Sequence, residues 1–356
     1  MHMQWRMYHR FEGYEELKPL LEGSDREILE AFEGKPVLVR IPAASTVGTP
    51  KARLVSCLLH GNEPAGFQAV VDLLRLGERF PFDLWVLIGN VRAATEEGLY
   101  AHRHLDDQED FNRVWDLDPT AAATTEMRRC AAGILDELRS ADLEAAVDLH
   151  NNSSRNPYYS ILTRLSPEGQ LLASLCADTV LLWGLHAHTL MEALGATCPA
   201  VSVECGPPHV PAGREFASAV VDRFLATESF GPPAADNRPR PHRMLELLHR
   251  VTVRPEVEFS FGGTVHDGTD FVIVPGLDAY NFGHLPAGSP IGHVEPGGAM
   301  PLLACDMSGH EVTSELLHLT PHGDLVLATD VTPLMMTTTV QQTRRDCLFY
   351  TARRVD

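Results

Sequence analysis

Three short apolar segments of this chain each end at a side chain that can bind a metal ion or transfer a proton. They are residues 53–59 before His60, residues 143–149 before His150, and residues 201–203 before Glu204. Short apolar runs of this kind are typical of buried strands, and helical spacing between them indicates an α/β layer fold. Since such sheets bind ligands beyond the carboxyl ends of their strands, we expect these three ends to converge.

The first of these strand ends also carries a second candidate ligand. Glu63 follows His60 by three residues, and residues 66–76 have the apolar spacing of a helix. A strand-to-helix loop could direct both side chains toward one point. Together with His150 they form a set of two histidines and one carboxylate, which is a ligand set of catalytic zinc that leaves one position open. We therefore predict one Zn²⁺ per chain, although a single His or Glu after a strand is more often a structural polar group.

Two further segments complete a pattern of four blocks. The blocks are, in order, His60-Gly-Asn-Glu63, Asp110-Phe-Asn-Arg113, Asp148-Leu-His-Asn151 and Glu204-Cys-Gly-Pro207. In this order they resemble the succinylglutamate desuccinylase and aspartoacylase family, which is itself similar to the zinc carboxypeptidases. The resemblance implies a layered α/β/α catalytic domain of the zinc-carboxypeptidase kind, followed by a smaller β domain that narrows the cleft.

Hydrolysis at a zinc site also requires a group that moves protons. We predict that Glu204 accepts a proton from the attacking water and delivers it to the departing amine, as general acid-base catalysis allows. The alternative is a structural Glu that pairs with a neighbouring cation. No Lys or Arg occurs in residues 166–213, which disfavours a partner nearby in sequence.

A cation is expected to stabilise the oxyanion that develops during amide hydrolysis. The resemblance implies an Arg shortly before the block that begins at Asp110, and Arg103 is the candidate. Its interval to Asp110 is longer than in the family pattern. Arg92 is therefore the second candidate for this role.

The resemblance also implies a clamp for the carboxylate of the substrate. Arg113 has a planar guanidinium that can hold a carboxylate through two parallel hydrogen bonds, and Asn112 can add another donor. The alternative for Arg113 is a structural ion pair with Asp110 or Asp116.

Other polar residues have weaker interpretations. Asp148 faces the same way as His150 on a strand, so it could orient that ring, or it could be an ordinary buried hydrogen-bond acceptor. His186 and His188 share one strand face, but no third ligand lies beside them in the sequence. We therefore expect no second metal site there.

A Pro-rich stretch at residues 231–241 marks a boundary, because dense Pro interrupts both helices and sheets. We predict a catalytic α/β domain at residues 1–235, with a helical N-terminal extension at residues 1–36. Short β-rich runs separated by Gly and Pro follow the boundary. They predict a β-rich domain at residues 236–356.

Composition agrees with a soluble enzyme. Of the 356 residues, 44% are hydrophobic, which is enough for a sizeable core, and the net charge of −19 argues against nucleic acid or an anionic membrane as partner. The seven cysteines lack paired spacing and fit reduced thiols. With no secretory signal or membrane-spanning stretch in this sequence, we expect a cytoplasmic protein. The sequence leaves open whether the chain forms a homo-oligomer.

The most specific function that these patterns support is zinc-dependent hydrolysis of the amide bond of a small N-acyl amino acid. In aspartoacylase, the resemblance implies an Arg shortly before the catalytic Glu that binds a second carboxylate of the substrate. This chain has no Lys or Arg in residues 166–203, before Glu204. The acyl group and the amino acid therefore stay unspecified. The alternatives are a carboxypeptidase-like metallopeptidase that acts on short peptides and a zinc-binding protein without catalysis.

Overall fold

A computed structural model describes most of the chain, in two compact units. The described residues are 7–44, 50–115, 125–152, 154–184, 186–231, 242–265 and 268–355. The first unit comprises Met1–Asn152 and Tyr158–His242, and the second comprises Ser153–Pro157 and Arg243–Asp356. The mixed α/β architecture and the smaller C-terminal β domain confirm the predicted fold class. The predicted boundary between residues 235 and 236 lies outside the described residues.

The first unit contains a mostly parallel sheet. Its strands are β1 (His9–Glu12), β2 (Val37–Ile41), β3 (Ala52–Cys57), β4 (Asp83–Ile88), β5 (Leu143–His150), β6 (Tyr159–Leu162), β7 (Thr179–Leu182) and β8 (Ala200–Glu204), arranged in the order β1-β2-β4-β3-β5-β8-β6-β7. The three strands that precede the candidate residues, β3, β5 and β8, are neighbours and run parallel. Their carboxyl ends consequently lie at one edge of the sheet.

Helices of the first unit connect these strands. They are α1 (Asp25–Ala31), α2 (Pro64–Leu76), α3 (Val91–Thr95), α4 (Glu126–Ser140), α5 (Pro167–Cys176), α6 (Leu190–Leu194) and α7 (Pro211–Ala226). Pro at the first turn of α2 fits a helix start, because its missing N–H has no partner there in any case. The predicted helix over 66–76 is confirmed and begins two residues earlier, at Pro64. None of the described helices is long and apolar enough to cross a membrane.

The N-terminal extension is not wholly helical, contrary to the prediction. His9–Glu12 forms β1, which pairs in parallel with β2 and thus extends the sheet. Helix α1 follows, where Ser24 and Glu27 form a reciprocal capping box. The four-residue strand was missed because its pattern of half-buried residues lacks a continuous apolar run.

The second unit is β-rich. Its strands are β9 (Arg243–Val253), β10 (Phe259–Phe261), β11 (Phe271–Ile273), β12 (Pro290–Val294), β13 (Leu302–Asp306), β14 (Leu317–Leu319), β15 (Asp324–Leu327), β16 (Thr332–Leu334) and β17 (Phe349–Arg354), accompanied by α8 (Thr313–Leu316) and α9 (Val340–Arg345). Strand β9 pairs with β13 and β17, and β17 pairs with β16. A separate five-stranded sheet has the order β10-β11-β12-β15-β14. An apolar core cluster lies within this unit.

One charged side chain lies inside the first unit. Arg53 in β3 is 1% exposed, and its guanidinium donates to the carbonyl oxygens of Phe224 (2.9 Å) and Leu225 (3.2 Å) at the end of α7. It also pairs with Glu144 at 3.1 Å and lies 3.9 Å above the ring of Phe82. Since the last carbonyls of a helix have no partners within the helix, Arg53 attaches the end of α7 to the sheet.

Replacing Arg53 with Met should lower the free energy of unfolding by about 3 kcal/mol, because the change leaves the carbonyls at the end of α7 buried without their donor and removes the cation that pairs with the half-buried Glu144. Urea denaturation followed by circular dichroism measures this loss. The matched control is Arg26→Met, which removes an exposed pair with Glu30 and should cost less than about 0.5 kcal/mol. Equal losses for both variants would show that Arg53 is not a structural anchor.

Candidate active site and metal centre

Close packing holds the backbone of the loop between β3 and α2 in an unfavourable conformation. Leu58 adopts a positive φ of 57°, which is costly for a branched side chain and turns the chain sharply at the strand end. Gly61 lies so close to α3 that a Cβ there would be 2.5 Å from the backbone of Ala93 and Ala94. The N–H of Gly61 donates to the carbonyl of Arg103 at 2.9 Å. These contacts place His60 and Glu63 on either side of a fixed turn.

The structure brings the three candidate ligands together. His60 Nδ1 lies 2.9 Å from Glu63 Oε1, and His150 Nδ1 lies 2.7 Å from Glu63 Oε2. One ligand atom from each residue lies within 4.8 Å of the other two, and all three side chains are buried. The histidine and carboxylate donors fit a divalent metal ion such as Zn²⁺, which these three residues could hold.

Carboxylates orient both imidazole rings from the far side. Asp148 Oδ2 lies 2.6 Å from His150 Nε2, and its other oxygen accepts a hydrogen bond of 2.5 Å from Ser56. Asp110 Oδ1 lies 3.1 Å from His60 Nε2. A carboxylate on one ring nitrogen leaves the other available to a metal ion, as is usual for ligating histidines. Asp148 thus lies where the sequence predicted. The contact of Asp110 with His60 was missed, because sequence reasoning considered Asp110 only as a partner of Arg113.

The buried charges of the cluster stabilise one another. Burial favours the neutral form of Glu63, but the adjacent His60 and His150 outweigh it and hold the pKa of Glu63 well below its ordinary value. Burial likewise opposes the charge on His150, and Asp148 and Glu63 outweigh it and raise the pKa of His150. Attractive interactions with neighbouring groups therefore compensate for the burial of Glu63 and His150.

Glu204 lies at the end of β8, directly beside His150 in the register of β5 and β8. Its Oε2 atom is buried and has no hydrogen-bond partner within the described part of the chain. Burial, together with the negative charge of Glu63, raises the pKa of Glu204 to about 7. A buried carboxyl group with a pKa near neutrality and an unpaired oxygen has the properties of a general acid-base residue.

Arg103 is the candidate cation that the structure places at the cluster. Its Nε and one terminal nitrogen donate to Asp110 Oδ2 at 3.0 and 2.9 Å, and its Nη1 lies 3.8 Å from Glu63 Oε1. The carboxylate charges of Asp110 and Glu63 outweigh burial and raise the pKa of Arg103. Arg92, the second candidate, instead forms exposed ion pairs with Glu96 and Asp107.

Asn112 and Arg113 occupy different environments. Asn112 is buried, accepts from the N–H of Leu190 at 3.1 Å, and places its amide nitrogen 3.3 Å from His150 Nε2. Arg113 is exposed and donates to the carbonyl of Asn112 at 2.8 Å. Arg103, rather than Arg113, makes the close pair with Asp110, and Asp116 lies outside the described residues.

The other histidines that the structure describes do not form a second cluster. His186 is exposed and pairs with Glu192 at 2.6 Å. Over the described ranges, His60, Glu63 and His150 are the only group of three or more potential ligands that lie close enough together to hold one metal ion.

The candidate ligands and Glu204 lie within a region that matches a known family model. Residues 50–207 match the model of the succinylglutamate desuccinylase/aspartoacylase catalytic domain, which confirms the resemblance seen in the motifs. No curated protein matches the chain in sequence.

Solved structures share the fold at low sequence identity. The succinylglutamate desuccinylase from Chromobacterium violaceum is 15% identical with a TM-score of 0.56, and the match covers 97% of this chain and 99% of that chain. A succinylglutamate desuccinylase/aspartoacylase from Rhodobacter sphaeroides is 15% identical with a TM-score of 0.55, covering 90% and 89%. Murine aminoacylase 3 is 17% identical with a TM-score of 0.50, covering 87% and 97%.

The close approach of Gly61 to α3 should make the stability of the protein sensitive to any side chain at this position. Gly61→Ala should lower the free energy of unfolding by about 2 kcal/mol, because the added Cβ would overlap the backbone of Ala93 and Ala94. Gly184→Ala is the matched control, since no atom lies within 4 Å of a Cβ at that position, and it should change stability by less than about 0.5 kcal/mol. Thermal unfolding compares the two variants, and an unchanged Gly61→Ala protein would contradict the packing of this loop.

Proposed function

We propose that this chain, which resembles the succinylglutamate desuccinylase/aspartoacylase catalytic domain over residues 50–207, is a zinc-dependent hydrolase of the amide bond in a small N-acyl amino acid. The observation that carries the proposal is the cluster of His60, Glu63 and His150 beside the unpaired carboxyl oxygen of Glu204. A metal-binding set and a buried proton acceptor at adjacent strand ends are the parts that metal-assisted hydrolysis requires.

Each residue of the site has a separate role in the reaction. A zinc ion held by the three ligands would lower the pKa of a water molecule and polarise the scissile carbonyl. Glu204 accepts a proton from the attacking water at Oε2 and passes it to the nitrogen of the departing amine. Its raised pKa suits both steps, because a group that titrates near neutrality gains and loses a proton at similar cost.

Arg103 supplies positive charge for the oxyanion. Asp110 accepts hydrogen bonds from its Nε and one terminal nitrogen, so the orientation of the guanidinium is set before substrate binds. Its Nη1 faces Glu63 at 3.8 Å, on the side of the metal ligands.

The carboxylate of the substrate is assigned to Asn112 and Arg113. Arg113 is exposed and can pair with an incoming anion, whereas Asn112 is anchored by the N–H of Leu190. In a chain with a net charge of −19, local cations of this kind are needed to attract an acidic substrate.

The metal assignment predicts about one zinc per chain in the purified protein, measured by inductively coupled plasma mass spectrometry. His60→Ala should lose this zinc, because two protein ligands hold the ion far more weakly than three. His186→Ala is the matched control and should keep it, since that ring is exposed and pairs with Glu192. A metal-free wild-type protein, or full zinc in the His60 variant, would overturn the assignment.

The role of Glu204 predicts a selective loss of turnover. Glu204→Gln should lower kcat by about 10²- to 10⁴-fold, because the amide cannot accept the proton, while zinc content stays unchanged. Glu215→Gln on the exposed face of α7 is the matched control and should retain activity. Amine release from N-acetyl and N-succinyl amino acids, with short peptides in the same panel, measures both. Cleavage of peptides alone would indicate a peptidase, and bound zinc without any turnover would favour a binding protein.

A further inference from the structure

The segment that carries Arg103 and Asp110 has no helix or strand between residues 101 and 110. Its geometry therefore depends on contacts with neighbouring elements. Two of these contacts involve the loop of the metal ligands directly: the Gly61 N–H donates to the Arg103 carbonyl, and His60 Nε2 lies 3.1 Å from Asp110. Other contacts come from Asn90 and Arg92, at the start of α3.

Asn90 attaches the start of α3 to the ligand loop. Its backbone N–H donates to the carbonyl of Leu58 at 2.6 Å, at the residue with positive φ. Its side-chain oxygen accepts from the N–H of Ala93 at 3.1 Å and so caps the helix. The first turn of α3 is the surface against which Gly61 packs. The position of Asn90 is consequently coupled to that of the ligand loop.

Gln108 attaches the Arg103 segment to the same residue. Its Oε1 accepts from Asn90 Nδ2 at 3.1 Å and from the N–H of Leu105 at 3.1 Å, while its own N–H donates to the Leu105 carbonyl at 3.0 Å. One amide oxygen thus closes the turn over residues 105–108 and joins it to α3. Since Asn90 is buried and Gln108 is half-buried, this bond is less screened by water than an exposed one and contributes more.

An exposed ion pair forms a second link between α3 and this segment. Arg92 donates to Asp107 at 2.9 Å, and both side chains face solvent. Exposed pairs of this kind contribute little to rigidity, because they are screened by water and salt. The partly buried bond between Asn90 and Gln108 is therefore the stronger of the two links.

We propose that Asn90 and Gln108 are positioning residues, which hold Arg103 and Asp110 against the loop of His60 and Glu63 in the free protein. The proposal rests on the proposed function for its catalytic part. Neither residue acts on substrate itself. They act by keeping the oxyanion-stabilising cation at a set distance from the metal ligands, and misplacement of such a group by about 1 Å can lower turnover by 10²-fold.

The test compares two substitutions at one position. Gln108→Met removes the acceptor at similar volume, whereas Gln108→Glu keeps an oxygen that can accept from both Asn90 and Leu105. Gln170→Met in α5 is the control for the substitution itself. Each full-length variant is studied by hydrogen–deuterium exchange with mass spectrometry on the peptides that contain Gly61 and Leu105, and by kcat and KM on the acyl amino acid panel.

We expect Gln108→Met to increase exchange at both Leu105 and Gly61 by about tenfold, the effect of losing about one hydrogen bond. We expect kcat to fall by about tenfold or more with KM within about twofold of wild type. Gln108→Glu and Gln170→Met should resemble wild type in exchange. A merely local role for Gln108 would accelerate exchange at Leu105 and leave Gly61 unchanged.

The outcomes separate this proposal from the proposed function. Unchanged exchange at Gly61 in Gln108→Met overturns the positioning role, as does faster exchange with unchanged kcat. If the wild-type protein hydrolyses no member of the panel, the proposed function fails. The exchange at Gly61 then still decides whether Asn90 and Gln108 hold the Arg103 segment to the ligand loop.

Discussion

The buried carboxylate of Glu63 imposes the main constraint on this molecule. Removing a carboxylate from water costs several kcal/mol unless partners of suitable geometry compensate for it. His60 and His150 compensate by placing their Nδ1 atoms 2.9 and 2.7 Å from its two oxygens. Their opposite nitrogens face the carboxylates of Asp110 and Asp148, at 3.1 and 2.6 Å. Each polar group of the cluster is compensated by its neighbours. The same arrangement directs three potential ligand atoms toward one point.

The sheet is what delivers these groups to one place. Strands β3, β5 and β8 are parallel neighbours, so the residues at their carboxyl ends meet without any long-range search by flexible loops. The register sets His150 directly beside Glu204. A shift of one residue would turn both side chains to the opposite face, so the apolar pattern that fixes the register also positions the site.

Regular apolar patterns in the sequence were sufficient to predict the strands that end at the site. The segment over residues 101–110, which has no helix or strand, could not be predicted in this way. Apolar runs ending at His60, His150 and Glu204 predicted three converging strand ends, and spacing predicted α2. Patterns could not reveal that Asp110 contacts His60 or that Arg92 faces Asp107, because the chain between residues 101 and 110 has no repeating geometry. Strand β1 was missed for a related reason, since its four residues are only partly buried.

The position of Asp110 joins the candidate metal ligands to Arg103, the proposed oxyanion-stabilising cation. One of its oxygens faces His60, and the other accepts two bonds from Arg103. Burial opposes the charge on Asp110, but the adjacent His60 and Arg103 outweigh it and hold the pKa of Asp110 well below its ordinary range. A change at any one of these three residues would therefore alter the other two, and the effects of substitutions should not add. In this view the ligand loop and the Arg103 segment form one unit, with Asp110 as the residue through which each depends on the other.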